Sequence, residues 1–345
     1  MKIYRLFAFF LIFALLLAAC SPSATVPVQP ATPASQVLTT VKACYTGISG
    51  TQTTVPYAFE KGLFKKYGLD VSLAYIAGPQ SSTAALLTGN VDICQSTGSP
   101  VVNAVIAKQD LVMIAGIFNL FPASIMVRPE IKSVADLKGK AIGINEIGGT
   151  TDAITRYVIK QKGLDAAKDV TFVTIGDTPA RIAALDAGKV SAAVLIPPGP
   201  LTASKKGYVE LINMAQLQIP YQHTGIVTTR KYIANHRDLT VRFMKAVVEA
   251  MAQMRKDPEG TRIVMAKYNK LDPVADAVAL DNAYQELILK DMADIPYPST
   301  AGIQFLIDSA AEINPDASKI TPDEVMDVSI LKELETSGFI SSIQK

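Results

Sequence analysis

Tryptophan is absent from this chain, and histidine nearly so, with only His223 and His236. Two imidazoles set that far apart offer none of the spacings that hold a metal ion. The three cysteines, Cys20, Cys44 and Cys94, are too few for a disulfide-built scaffold or a Cys-based zinc cluster. Charge of one sign is also missing. The 33 Lys and Arg against 31 Asp and Glu leave a net charge of +2, without the basic stripe that a nucleic-acid partner requires. No nucleophile elbow, His-Glu-x-x-His helix, P-loop or Rossmann glycine pattern occurs. Asp136 and Glu146 have no evident partner for general acid/base work. No catalytic residue, cofactor or metal is expected, and the chain does not read as an enzyme.

What is present begins at the N-terminus. Lys2 and Arg5 precede an apolar run from Leu6 to Leu17. That run is short of the roughly 20 residues that span a bilayer and fits the apolar region of a secretory signal. No second segment is apolar for long enough to cross a membrane. The run ends in Leu17-Ala18-Ala19-Cys20, which resembles a bacterial lipobox. The resemblance implies cleavage after residue 19, lipidation of Cys20 and a stable anchor of two or three acyl chains. An uncleaved anchor helix, or a plain signal peptide with an incidental Cys, is the alternative. Residues 20–37 carry no charge and are rich in Ser, Pro, Thr and Ala, the composition of a flexible tether. Removing residues 1–19 takes away two basic residues and leaves 31 of each sign. Cys44 and Cys94 fall in expected strands. A disulfide is permitted in an exported protein, but two buried thiols are the expectation, because cross-strand bridges strain the geometry.

About 300 residues follow the tether, enough for two domains. An internal echo supports that number. Ala84-Ala85-Leu86-Leu87-Thr88-Gly89-Asn90-Val91 is repeated as Ala183-Ala184-Leu185-Asp186-Ala187-Gly188-Lys189-Val190. Upstream, Gly68-Leu69-Asp70 is repeated as Gly163-Leu164-Asp165. The offsets of 99 and 95 positions nearly agree, so both halves follow one β-α-β-α-β plan. Expected strands are 38–45, 71–76 and 91–95 in the first half, and 140–145, 170–175 and 191–196 in the second. Short, apolar and separated by helical stretches, they imply parallel sheets covered on both faces. Beyond about Thr229 long helices take over. Met244, Val247, Val248, Met251 and Met254 share one face of a helix over 239–255. Asp272-Pro273, Thr300 and Thr321-Pro322 read as later helix starts.

Lys61-Gly62-Leu63-Phe64-Lys65-Lys66-Tyr67-Gly68-Leu69-Asp70-Val71, Leu86–Asp92, Ser133-Val134-Ala135-Asp136-Leu137-Lys138-Gly139-Lys140 and Ala183–Ala193 together resemble the SsuA/THI5-like (NMT1-type) branch of the type II periplasmic binding proteins. The resemblance covers most of residues 38–345. It implies two doubly wound α/β domains around a ligand cleft, hinged by two crossing segments near 120–127 and 221–227. Domain 1 would be 38–121 plus 224–345, and domain 2 would be 122–223. The implied function is that of a substrate-binding lipoprotein of an ABC importer. It would capture a small organic or anionic solute by hinge closure and pass it, as a monomer, to a permease and its ATPase. The ligands implied are sulfonates, taurine, nitrate, bicarbonate, pyrimidine precursors and aromatic acids. The alternative is a ligand-sensing module or a surface enzyme on the same fold. The THI5-type pyrimidine synthases, however, carry a Cys-rich iron-binding motif that this chain lacks.

In open α/β sheets, ligands sit beyond the carboxyl ends of strands. That rule selects Tyr45, Thr46 and Gly47, then Gln80 and Ser81, then Ser96, Thr97 and Ser99 in the first half. In the second half it selects Gly149, Thr150 and Thr151, and Pro197. Gly148–Thr151 and Ser96–Ser99 each read as an anion-binding helix start, or more simply as a capped turn. Asn119, Tyr221 and His223 lie beside the crossings. A lone His is more often a structural hydrogen-bonder than a ligand contact. No Lys or Arg stands in these loops, which favours a solute held by hydroxyls and backbone amides.

Overall fold

The computed structural model describes residues 38–344. The expected signal segment, the expected lipidation of Cys20 and the expected tether therefore lie outside the described residues. The described residues build ten strands in two sheets. The strands are β1 (Thr39–Tyr45), β2 (Leu69–Tyr75), β3 (Ile93–Thr97), β4 (Val112–Gly116), β5 (Ser124–Val127), β6 (Lys140–Ile144), β7 (Val170–Thr174), β8 (Ala192–Leu195), β9 (Val209–Asn213) and β10 (Thr224–Thr228). One sheet has the order β2-β1-β3-β10-β4 and the other β7-β6-β8-β5-β9. The two orders are the same plan written twice. In each, three parallel strands are followed by one strand that arrives from the other half of the chain.

That exchanged strand corrects the expectation of purely parallel sheets. β10 runs antiparallel to β3 and β4, and β5 runs antiparallel to β8 and β9. The direction follows from the path. β4 ends at the cleft, so the chain crosses there and β5 must begin at the cleft and run away from it. The crossings lie between Gly116 and Ser124 and between Asn213 and Thr224. The expected crossing ranges instead ran into β5 and β10, whose residues are all buried strand.

The echoed segments form matching corners. Helices Pro79–Leu87 and Thr178–Asp186 have nine residues each. They end at Gly89 and Gly188, with φ of 71° and 72°. In this left-handed region a Cβ would be strained, which explains the repeated glycine. The long helix spans Arg237–Lys256. Its stripe of Met244, Val247, Val248, Met251 and Met254 is buried in the first lobe's core, each such side chain contributing roughly 1.5–3 kcal/mol. Of the later helix starts, Thr300–Ala311 and Pro322–Val325 begin as read, the second on a Thr321/Glu324 capping box. Asp272-Pro273 instead opens a turn. Asp272 accepts the N–H groups of Val274 and Ala275, and the helix starts at Ala277.

The expectation of two free thiols also fails. β1 and β3 are parallel neighbours that place Cys44 opposite Cys94. Their Cα atoms are 4.5 Å apart and the pair is disulfide-bonded, at a separation a disulfide spans. Among the described residues, no helix is long and apolar enough to cross a membrane.

Candidate ligand-binding site

The carboxyl ends of β1, β3, β6, β7 and β8 converge on a cavity of about 40 Å³ between the two sheets. One wall comes from the loop after β1, with Thr46, Gly47, Ile48, Ser49, Thr51 and Gln52, and from Thr97 at the end of β3. The facing wall comes from Asn145, Thr150 and Thr151 after β6, Asp177 and Arg181 after β7, and Ile196 after β8. His223, in the second crossing, closes the base.

The first wall is held from behind. Gln95, buried in β3, donates to the Thr51 carbonyl at 2.9 Å and accepts the Val55 N–H at 2.9 Å. Gln52 Oε1 accepts the Thr46 N–H at 3.3 Å. Thr51 Oγ1 lies 3.2 Å from His223 Nε2. Burial pulls the His223 pKa down to about 3, so the ring is neutral at physiological pH. Against this order stands a set of polar atoms without partners among the described residues. They are the hydroxyls of Thr46, Thr97 and Thr150 and His223 Nδ1, all buried. Two helices also begin here, Gly98–Ile106 and Thr150–Gln161; the N-cap Thr97 side chain does not bond the first turn of one, and the N-cap of the other is Gly149, without a side chain. Such starts favour acceptor-rich groups. The Gly98 N–H is already taken by the His223 carbonyl at 3.1 Å.

Of the residues singled out by sequence, Thr46, Gly47, Thr97, Thr150, Thr151 and His223 line the cavity. The others do not. Tyr45 packs against Tyr75 and Tyr268, with ring centroids 5.3 and 5.4 Å away. Tyr221 is fully buried and donates to the Thr150 carbonyl at 3.1 Å, with Ser99 Oγ also 3.1 Å from its hydroxyl. Burial raises the Tyr221 pKa. Ser96 faces Ser82, Asn119 donates to the Tyr297 carbonyl, Gly149 caps its helix and Ser81 is exposed. Gln80 reaches across to the Ile147 carbonyl at 3.1 Å, and the Pro197 carbonyl accepts the Gly50 N–H at 2.9 Å.

Sequence reasoning missed Ser49, Thr51, Gln52, Asn145, Asp177 and Arg181. The strand-end rule applied after β7 would have found Asp177. Arg181 lies a turn inside the following helix, where the rule does not look. Its presence overturns the expectation that no basic residue lines the cleft. Asp177 ties the two walls together, accepting the Ile48 N–H at 3.1 Å through Oδ1 and the Tyr75 hydroxyl through Oδ2.

A family model described as "NMT1/THI5 like" matches residues 51–261. The chain belongs to the NMT1/THI5-like family. One relative in sequence is YtlA of Bacillus subtilis (strain 168), named for an inferred binding role, 26% identical over 200 residues. The match covers 56% of this chain and 59% of YtlA, so it spans less than two thirds of that relative. A Brucella abortus (strain 2308) protein named for the same kind of role is 27% identical over 226 residues, covering 65% of this chain and 69% of its own length. The nitrate-binding protein NrtA from Synechocystis PCC 6803 superposes with a TM-score of 0.73 at 16% identity, covering 89% of this chain and 91% of its own. The alkanesulfonate-binding protein SsuA from Xanthomonas axonopodis pv. citri, bound to MOPS, gives 0.66 at 18% identity, covering 84% and 97%. The fold is that of the type II periplasmic binding proteins, and these family relatives and fold neighbours are binding proteins, not enzymes.

Proposed function

We propose that this chain is the extracytoplasmic solute-binding component of an ABC importer. It captures a small organic or anionic solute of the sulfonate, nitrate, taurine or pyrimidine-precursor class and hands it to the permease and its ATPase. Residues 38–121 with 224–345, and residues 122–223, act as two lobes that close over the solute about the crossings. Cys20, lipidated after removal of residues 1–19, holds the chain at the membrane while the tether lets it reach the transporter.

The observation that carries this reading is the cavity between the sheets, whose unpartnered hydroxyls come from both walls. A solute that satisfies both walls at once stabilises the closed form, and a differential affinity of that kind shifts a hinge equilibrium. The test is a solute panel against the purified chain, read by thermal shift and small-angle scattering. A solute at about 100 times its Kd adds roughly 2.7 kcal/mol, and the radius of gyration should fall as it binds. Recovery of the solute unchanged supports a receptor, and its conversion to a product would favour an enzyme.

A further inference from the structure

Arg181 is a buried cation without a counter-ion. The residue is 2% exposed. Its Nη2 donates to Thr178 Oγ1 at 3.1 Å, while Nε and Nη1 have no partner. Among the described residues, no carboxylate lies within 4.0 Å of the guanidinium, although Asp177 is one helical turn away. Both Asp177 oxygens are engaged elsewhere, by Ile48 and Tyr75.

The fold does not require this arginine. The echoed helices align Pro79–Leu87 with Thr178–Asp186, so Arg181 stands where the first lobe has Ser82. Ser82 is fully buried and satisfied by the Pro79 carbonyl and the Ser96 hydroxyl. The same corner is therefore built without a charge in one lobe and with an unpaired charge, facing the cavity, in the other. Burying an unpaired guanidinium is costly, and a ligand that supplies the missing charge recovers that cost on binding.

We infer that Arg181 is the ligand's counter-ion and the residue that sets charge selectivity in this cleft, which takes a singly charged oxyanion of a few heavy atoms. The inference rests on the solute-receptor reading above and narrows it. Arg181 and the hydroxyls of Thr46, Thr97 and Thr150 present donors from both walls, which suits a group whose oxygens are all acceptors. Among the described residues, Arg181 is the one Lys or Arg side chain lining the cavity, and the Asp177 carboxylate that also lines it disfavours a second negative charge on the ligand. The cavity of about 40 Å³ favours a small ligand.

The test titrates the purified chain at fixed ionic strength with acetate, nitrate and methanesulfonate, and with sulfate and acetamide as doubly charged and uncharged controls. At least one monoanion should bind, with both controls roughly 100-fold weaker. Arg181→Met should weaken that monoanion by about 100-fold or more while leaving the ligand-free Tm unchanged or higher, and Arg181→Lys should retain part of the affinity. Should Arg181→Met fail to fold, the wild-type panel with Arg181→Lys decides. The inference is overturned if acetamide binds as well as acetate, if sulfate binds most tightly, if no monoanion binds, or if Arg181→Met binds as the wild type does. Compaction driven by an uncharged solute alone would sink this assignment and leave the receptor reading standing. Monoanion binding without compaction would do the reverse.

Discussion

Asp177 Oδ1 accepts the backbone N–H of Ile48 at 3.1 Å, joining the loop after β7 to the loop after β1. Its other oxygen accepts the Tyr75 hydroxyl from the same opposing wall. Hydrogen bonds to a charged acceptor contribute about 1.5–3 kcal/mol each, and both exist only while the walls are together. Asp177→Ala should therefore shift the ligand-free chain toward an open form and weaken solute binding by roughly 10- to 100-fold. Scattering and calorimetry read the two effects. An unchanged radius of gyration together with unchanged affinity would show that the contact does not hold the walls together.

Gly50 makes the second close approach between the walls. A Cβ there would lie 2.7 Å from the Pro197 carbonyl oxygen and 2.5 Å from Leu287 Cδ1. The first of these is backbone of the opposing wall and yields only if the walls part. Gly50→Ala should cost at least about tenfold in solute affinity through the smaller closed fraction, with little change in the ligand-free melting temperature. A melting temperature that falls steeply with affinity preserved would place the strain in the first lobe's own packing.

The Cys44–Cys94 bond closes a 50-residue separation. Loop-closure entropy for that length corresponds to about 4 kcal/mol of stability. The paired Cys44→Ser and Cys94→Ser change should lower Tm by on the order of 5 °C. In the untreated protein neither thiol should react with iodoacetamide after denaturation. Alkylation of both without prior reduction would contradict the bond.

Burial lowers the His223 pKa from 6.5 to about 3. Between those values the unfolded chain holds the extra proton and the folded chain does not. Stability from the neutral ring is thus intact above pH 6.5 and is lost as pH falls, by up to about 1.4 kcal/mol per pH unit. His223→Gln keeps a hydrogen-bonding group near Thr51 and should flatten the stability profile between pH 6.5 and 4. Chemical denaturation of both proteins at several pH values checks this, and equal slopes would assign the acid sensitivity elsewhere.

Several features were legible before any coordinates, because local rules write them into the chain. The six β-α-β-α-β strands show as short apolar runs between helical stretches. Gly89 and Gly188 mark the echo because each occupies a left-handed position. Thr97, Thr150 and His223, which line the cavity, were singled out because they sit at strand ends or a crossing. The exchanged strands β5 and β10 were not legible, because they follow crossings and not helices. The Cys44–Cys94 bond depends on β1 and β3 being direct neighbours, which is a fact of pairing order. Arg181 is the sharpest case. Along the sequence it is one of two charged residues in its helix, the other being the exposed Asp186, with no local signal of burial. Only packing that helix into the folded chain removes its guanidinium from water. The sequence by itself determined the two-lobed plan and the loops that meet, since these follow from periodicity and backbone conformation. The tertiary structure decided the charge at the centre of the cleft, since burial is a property of what packs across it.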